Sequence, residues 1–213
     1  GLWQLGIAIE SARLVDASHN QLVSALRSIL WRFEPDVSLT AQQNLLLRGI
    51  GAAQRDNIAA ALEVYEIASV TALSGVRRSA MSCPALPSCG SAITEAERIV
   101  PELLAAMEAE LTRLGLSDEP CTVCVTGCSH GCARCYLADI ALVGRTIDVK
   151  RKVDKFAIYI GGDTLGRRLN RVYRDLVPID QVIDVLRPLL IRFQRERDRG
   201  EPLGAFLWRI SEG

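Results

Sequence analysis

Apolar and polar positions change period along the chain, and each change marks an element. Residues 3–10 (Trp3-Gln4-Leu5-Gly6-Ile7-Ala8-Ile9-Glu10) alternate apolar with small or polar side chains and predict a strand. Leu22, Leu26, Ile29, Leu30 and Phe33 recur at helical spacing, so a helix is expected over 21–33, with Ser18, His19 and Asn20 offering its cap. Pro35-Asp36 ends it, and residues 37–40 and 44–50 read as strand on either side of Ala41-Gln42-Gln43. A second helix, 53–67, would turn Ile58, Leu62 and Tyr65 inward. Strand–helix–strand–helix order predicts a small α+β layer, half of a ferredoxin-like unit. Beyond it a long helix is expected over 92–114, ended by Gly115 and Pro120. Strands are expected at 121–126, 139–147 and 156–160, and a helix opened by Pro178 at 178–199, with Pro188 as a potential kink. The mixed charges of 192–199 read as a solvated face.

Two cysteine loops stand out against this pattern. Cys83 and Cys89 bracket Pro84 and Pro87, and Cys128 and Cys132 bracket Ser129-His130-Gly131 after Thr126-Gly127. Prolines stiffen the first loop, and Gly127 and Gly131 let the backbone of the second approach closely. Each loop leads into a stretch that reads as helix, 91–98 and 133–138, whose N-termini would favour a bound anion. Four thiolates on two such loops suit an iron–sulfur cluster. Spacing leaves alternatives open. Cys121/Cys124 with Cys132/Cys135 has zinc-like C-x2-C pairs, although 122–125 reads as strand, which would turn Cys121 and Cys124 to opposite faces. Inert packed thiols are the third reading. Gly161-Gly162 opens a glycine loop that lacks the Gly-Lys-Ser/Thr ending of a phosphate cradle.

Composition narrows the class. With 213 residues and 49% hydrophobic side chains, the chain can bury one large core or two small ones. Lys+Arg and Asp+Glu are both 25, which argues against nucleic-acid binding. Seven cysteines without a secretory leader argue against a disulfide scaffold, and no apolar run is long enough to span a membrane. A soluble protein of a reducing cytoplasm is expected.

At these residues the chain resembles the haemoprotein subunit of assimilatory sulfite reductases, within the sulfite/nitrite reductase group. The likeness rests on Cys83-x5-Cys89, on Thr126-Gly127-Cys128-x3-Cys132, and on flanks such as Ala80-Met81-Ser82, Pro84-Ala85-Leu86-Pro87, Glu95-Ala96-Glu97-Arg98 and Ile160-Gly161-Gly162. The resemblance implies a [4Fe–4S] cluster on Cys83, Cys89, Cys128 and Cys132, and a sirohaem whose iron shares the Cys132 thiolate. It implies six-electron reduction of sulfite to sulfide, fed by a ferredoxin or flavoprotein donor. The fold expected is α+β: a ferredoxin-like half-domain over 1–75, then an α/β [4Fe–4S]/sirohaem-binding domain over 76–213.

Other residues acquire candidate roles through the same resemblance. Gln43 and Asn44 match a segment that lies against the tetrapyrrole, and Ser82 adjoins the first ligand. Arg77, Arg78 and Arg134 suit its carboxylates, because guanidinium binds carboxylate through two parallel bonds. The family usually has Pro-Asn in the second loop; here Ser129-His130 stands there, with His130 in the Asn position near the sirohaem. Cys135 reads as a packed thiol. Only the second half of the family's length is matched. The residues that hold sulfite belong to the first half, so pairing with a second copy or with a complementary half is expected, or else a truncated or engineered half. Gly1 in place of a starting Met suggests an excised chain. Competing readings are a non-catalytic cluster protein, a zinc module and a precorrin-3B synthase relative; the flanks favour the sulfite branch over the last.

Overall fold

The computed structural model describes residues 1–17, 20–68 and 70–211. They fall into two units, Gly1–Leu73 and Ser74–Gly213. The first unit runs β1 (Trp3–Ile7), the short pair β2 (Asp16–Ala17) and β3 (Asn20–Gln21), α1 (Leu22–Phe33), β4 (Asp36–Leu39), β5 (Leu45–Ile50) and α2 (Ala52–Val64). Its main sheet has the order β1-β5-β4, antiparallel throughout. Setting the short pair aside, this βαββα order and strand arrangement are those of the first five elements of a ferredoxin-like unit. Ile7, Leu26, Ile29, Leu47, Ile58 and Leu62 make its core. The cap expected from Ser18-His19-Asn20 is supplied from elsewhere: Asp16 accepts hydrogen bonds from the Val23 and Ser24 amides, at 2.8 and 3.1 Å. A carboxylate reaching back from a preceding strand satisfies the exposed N–H groups as well as a local cap does. Ser18 and His19 lie outside the described residues.

The second unit runs α3 (Gly75–Ser79), β6 (Met81–Ser82), α4 (Val100–Arg113), β7 (Val123–Thr126), β8 (Ile140–Asp148), β9 (Val153–Ile160), β10 (Arg171–Pro178), α5 (Val182–Glu196) and α6 (Leu203–Ile210). Its five strands lie in the order β10-β9-β8-β7-β6. The β6, β7 and β8 strands are parallel; β9 and β10 return antiparallel. On α4 the buried stripe is Val100, Leu103, Leu104, Met107 and Leu111, and on α5 it is Val182, Leu186, Leu189, Leu190 and Phe193. Both stripes have the 3–4 spacing that places one face against a core. Phe193 meets Phe206 of α6 edge-on at 5.4 Å.

Three expectations change. The helix expected from residue 92 starts at Val100, with Pro101 in its first turn. Residues 91–99 form turns and bends tied to other segments: Ile93 and Thr94 donate to the Gly127 carbonyl, and Glu95 to the Asp154 carboxylate at 2.7 Å. The helix expected after Cys132 is a single 3-10 turn, Cys135–Leu137, entered through Arg134 at φ 55°. A helix start after each cysteine pair is therefore absent. Pro178 ends a strand rather than opening a helix; β10 had no counterpart in the sequence pattern, since it is an irregular edge strand exposed at most positions. Its ladder bonds, rather than alternation, define it.

Candidate metal centre

The two cysteine loops leave neighbouring parallel strands at the same end. Met81 pairs with Cys124 and Ser82 with Val125, so Cys83 emerges from β6 beside Thr126-Gly127-Cys128 leaving β7. The C-terminal ends of parallel strands are where open sheets place ligands, because the loops there diverge and leave a crevice. The loops are stitched together. The Cys83 amide donates to the Val125 carbonyl at 3.2 Å, and the Gly127 amide donates to Cys83 Sγ at 3.4 Å. Thr126 Oγ1 lies 3.5 Å from the same sulfur. Cys89 is held by its amide on the Ala85 carbonyl at 2.7 Å.

Gly127 is the pivot. A Cβ there would lie 2.7 Å from both Ala85 Cβ and the Thr94 carbonyl oxygen. A Cβ on Gly144 of β8 would run into Thr94 Oγ1 and the Gly127 carbonyl. Thr94 and Gly144 are thus parts of the cradle that the motif did not reveal; a glycine inside a strand pattern was the available signal. In the second loop, Gly131 adopts φ +72°, Tyr136 donates its hydroxyl to the Ser129 carbonyl at 2.7 Å, and His130 Nδ1 lies 3.3 Å from Cys128 Sγ.

All seven cysteines are free thiols, and their burial separates them. Cys83 and Cys128 are each 7% exposed, Cys89 is half-buried and Cys132 is exposed. Cys121, Cys124 and Cys135 are packed into the core, in the cluster that also takes in Cys83. Burial pushes the Cys121 and Cys124 thiols far above the ordinary range, and Cys135 up to about 11. A zinc ligand must be a thiolate. Core burial of these three, with Cys132 at the surface, weighs against a zinc shared by Cys121, Cys124, Cys132 and Cys135; among the described residues no three Cys, His, Asp or Glu side chains are gathered closely enough to hold a metal ion, in that set or in any other.

The remaining candidates are distributed unevenly. Ser82 ends β6, 1% exposed, next to Cys83. On α3, Arg77 grips Glu108 of α4 with Nη2–Oε2 2.6 Å and Nε–Oε1 3.1 Å. That guanidinium holds the Glu108 carboxyl below its usual range against the opposing effect of burial. Arg78 Nε donates to the Ser74 carbonyl at 3.4 Å, and Arg134 Nη2 to Thr164 at 3.4 Å. Gln43 and Asn44 belong to the first unit. Gln43 sits in the β4–β5 turn at φ 63°, and Asn44 Oδ1 accepts the Ile9 amide at 2.8 Å. The glycine loop offers no phosphate cradle: the Gly161 and Gly162 amides bond the Asp139 and Ala138 carbonyls, and Arg168 covers the two glycine carbonyls.

Comparison with known proteins adds the family. Residues 75–212 match the family described as "Nitrite and sulphite reductase 4Fe-4S domain". The "Sulfite reductase [NADPH] hemoprotein beta-component" of Paenibacillus sp. (strain JDR-2) is 38% identical over 209 residues, 98% of this chain and 35% of that protein. The protein of the same name from Chromohalobacter salexigens is 37% identical over 210 residues, again 98% and 35%. The chain therefore spans about a third of the length of the curated relatives it matches. Among solved structures, Mycobacterium tuberculosis NirA superposes with TM-score 0.80 at 25% identity, over 97% of this chain and 38% of that one. Dissimilatory sulfite reductase I superposes with TM-score 0.67 at 12% identity, over 98% of this chain and 67% of that one, a likeness of fold alone. With its paired cysteine loops on parallel strand ends and a match running from α3 to the end of α6, the chain belongs to the nitrite and sulphite reductase 4Fe-4S domain family.

Proposed function

We propose that this chain is the cofactor-bearing part of a sulfite reductase haemoprotein, with Cys83, Cys89, Cys128 and Cys132 holding a [4Fe–4S] cluster and Cys132 shared with the iron of a sirohaem. The observation that carries the reading is the donor set. Two loops from adjacent parallel strands present four free thiols, and three are wholly or partly shielded while the fourth, Cys132, is open to solvent. The three shielded sulfurs suit ligands to cluster iron alone; the open one suits a bridge to a second centre. The residues fit a cluster in a further respect. The Gly127 amide already donates to Cys83 Sγ, as a ligated, negatively charged sulfur requires, while Thr126 Oγ1 beside it gives its own hydrogen to the Cys128 carbonyl.

When bound, the two centres would supply electrons to sulfite singly, for six-electron reduction to sulfide. The chain's own contribution is to bind and orient. Gly127 keeps the first and second loops in register, and the Gly127 amide neutralises part of the charge on Cys83 Sγ. Buried Val123, Val125, Leu142 and Val143 on β7 and β8 keep water from the strands that carry the cysteines. Arg78 and Arg134 are assigned to the carboxylates of the tetrapyrrole, with Ser82 and His130 beside it; Gln43 and Asn44, in the first unit, are assigned to it by the sequence resemblance alone. Arg77, already gripping Glu108, would have to exchange that partner to join them. Sulfite, a ferredoxin or flavoprotein donor, and a second copy or complementary part complete the proposal, since the chain spans about a third of its relatives.

The test is an absorption spectrum with iron and sirohaem quantification on the reconstituted chain, alone and with the complementary part of a relative. Four irons per chain with cluster absorption, rising to five with a Soret band when sirohaem binds, is the expected result. A colourless zinc protein would end the cluster reading. Cluster absorption with no sirohaem uptake, even beside the complementary part, would end the sulfite reductase reading.

A further inference from the structure

Among the described residues, three groups lie within hydrogen-bonding distance of the sulfurs assigned to the cluster. Two of them, the Gly127 amide and Thr126 Oγ1, attend Cys83. The third is a side chain on a different sulfur: His130 Nδ1, 3.3 Å from Cys128 Sγ. Cys128 is 7% exposed whereas His130 is itself exposed, so the contact is partly shielded from water on its sulfur side. The loop fixes the backbone on either side of His130. Gly131 at φ +72° turns the chain immediately after His130, and the Tyr136 hydroxyl fastens the preceding Ser129 carbonyl at 2.7 Å.

The geometry points to His130 as a positioning residue that sets the reduction potential of the cluster through Cys128. This inference rests on the cluster reading above. A sulfur bound to iron carries no proton and can only accept, so the ring nitrogen facing it must be the donor. A reduced cluster carries one more negative charge than the oxidised one, and that charge is shared onto its sulfurs. The Nδ1–H bond therefore stabilises the reduced form more than the oxidised form, and the potential rises. Charge-assisted hydrogen bonds are large enough for the effect to be measured.

The experiment is a potentiometric titration at one fixed pH, followed by electron paramagnetic resonance of the reduced cluster. It uses the full reconstituted chain as wild type, His130→Ala and His130→Asn, with iron per chain measured for each. His130→Ala is expected to make the cluster harder to reduce by about tenfold in the reduction equilibrium, ~59 mV for a one-electron couple. His130→Asn, whose amide N–H can donate from nearly the same place, is expected to recover most of the shift. Equal potentials in wild type and His130→Ala would overturn the inference while leaving the cluster reading intact. So would an equal shift in both variants, which marks a packing effect. A His130→Ala chain that holds no iron while wild type does would show a role in assembly and overturn the potential-setting role. A wild-type chain that assembles no cluster would overturn the cluster reading and this inference with it.

Discussion

At the scale of single residues, the site depends on what is missing from Gly127 as much as on the sulfurs. A methyl group there would meet Ala85 Cβ and the Thr94 carbonyl oxygen at 2.7 Å, and the carbonyl belongs to backbone that cannot swing away. Gly127→Ala should therefore destabilise the chain by about 1–3 kcal/mol, as overpacking does, and spread the two loops. Urea unfolding and iron analysis after reconstitution check it, with Gly90→Ala as control because nothing lies within 4 Å of its Cβ position. Equal iron content in the two variants would refute the cradle. The cysteines separate in the same assay. Cys83→Ser should abolish iron uptake, whereas Cys124→Ala should retain it, because Cys124 lies within β7, wholly inside the core, while Cys83 leaves β6 into the loop. Spacing alone had not distinguished Cys132 from the packed Cys121, Cys124 and Cys135; burial does, and burial is a property of the fold.

At the scale of elements, the second unit shows how a tertiary contact redirects a local preference. Residues 91–99 have helix-favouring composition, yet they are tied to Gly127 and Asp154 in turns and bends, and α4 waits until Val100. α4 is then joined to α5 through Glu110, whose carboxylate takes Arg113 at 2.5 Å and Arg187 at 3.2 Å. Arg113, against the opposing effect of burial and with help from Arg187, holds that carboxyl below its usual range. A depressed folded-state value means that the charge stabilises the fold above the unfolded carboxylate range and loses that effect as pH falls through the folded value. Glu110→Gln should accordingly lower the urea midpoint at neutral pH, and the gap to wild type should narrow in acid. A gap that stays constant from neutral to acid would show that the ion pairs contribute nothing.

For the molecule as a whole, two cores mean that damage should stay where it is made. Leu47 is completely buried in the first unit and Leu104 nearly so in the second. Either Leu→Ala change should cost about 2–5 kcal/mol. Iron uptake should fall only in Leu104→Ala, since the cysteine loops belong to the second unit. An equal fall in Leu47→Ala would show that the cluster loops depend on the first core. The alternation of 3–10, the helical spacing of Leu22 to Phe33, and the two cysteine loops with their Gly and Pro punctuation were decided by the amino-acid order itself. Periodicity and turn chemistry act over a few residues, so they need no distant partner. The cap from Asp16, the delayed start of α4, the edge strand β10, and the packing of Cys121, Cys124 and Cys135 against the exposure of Cys132 were decided only by tertiary structure. Each depends on which groups a remote segment brings within hydrogen-bonding or packing distance, and local pattern holds no record of that.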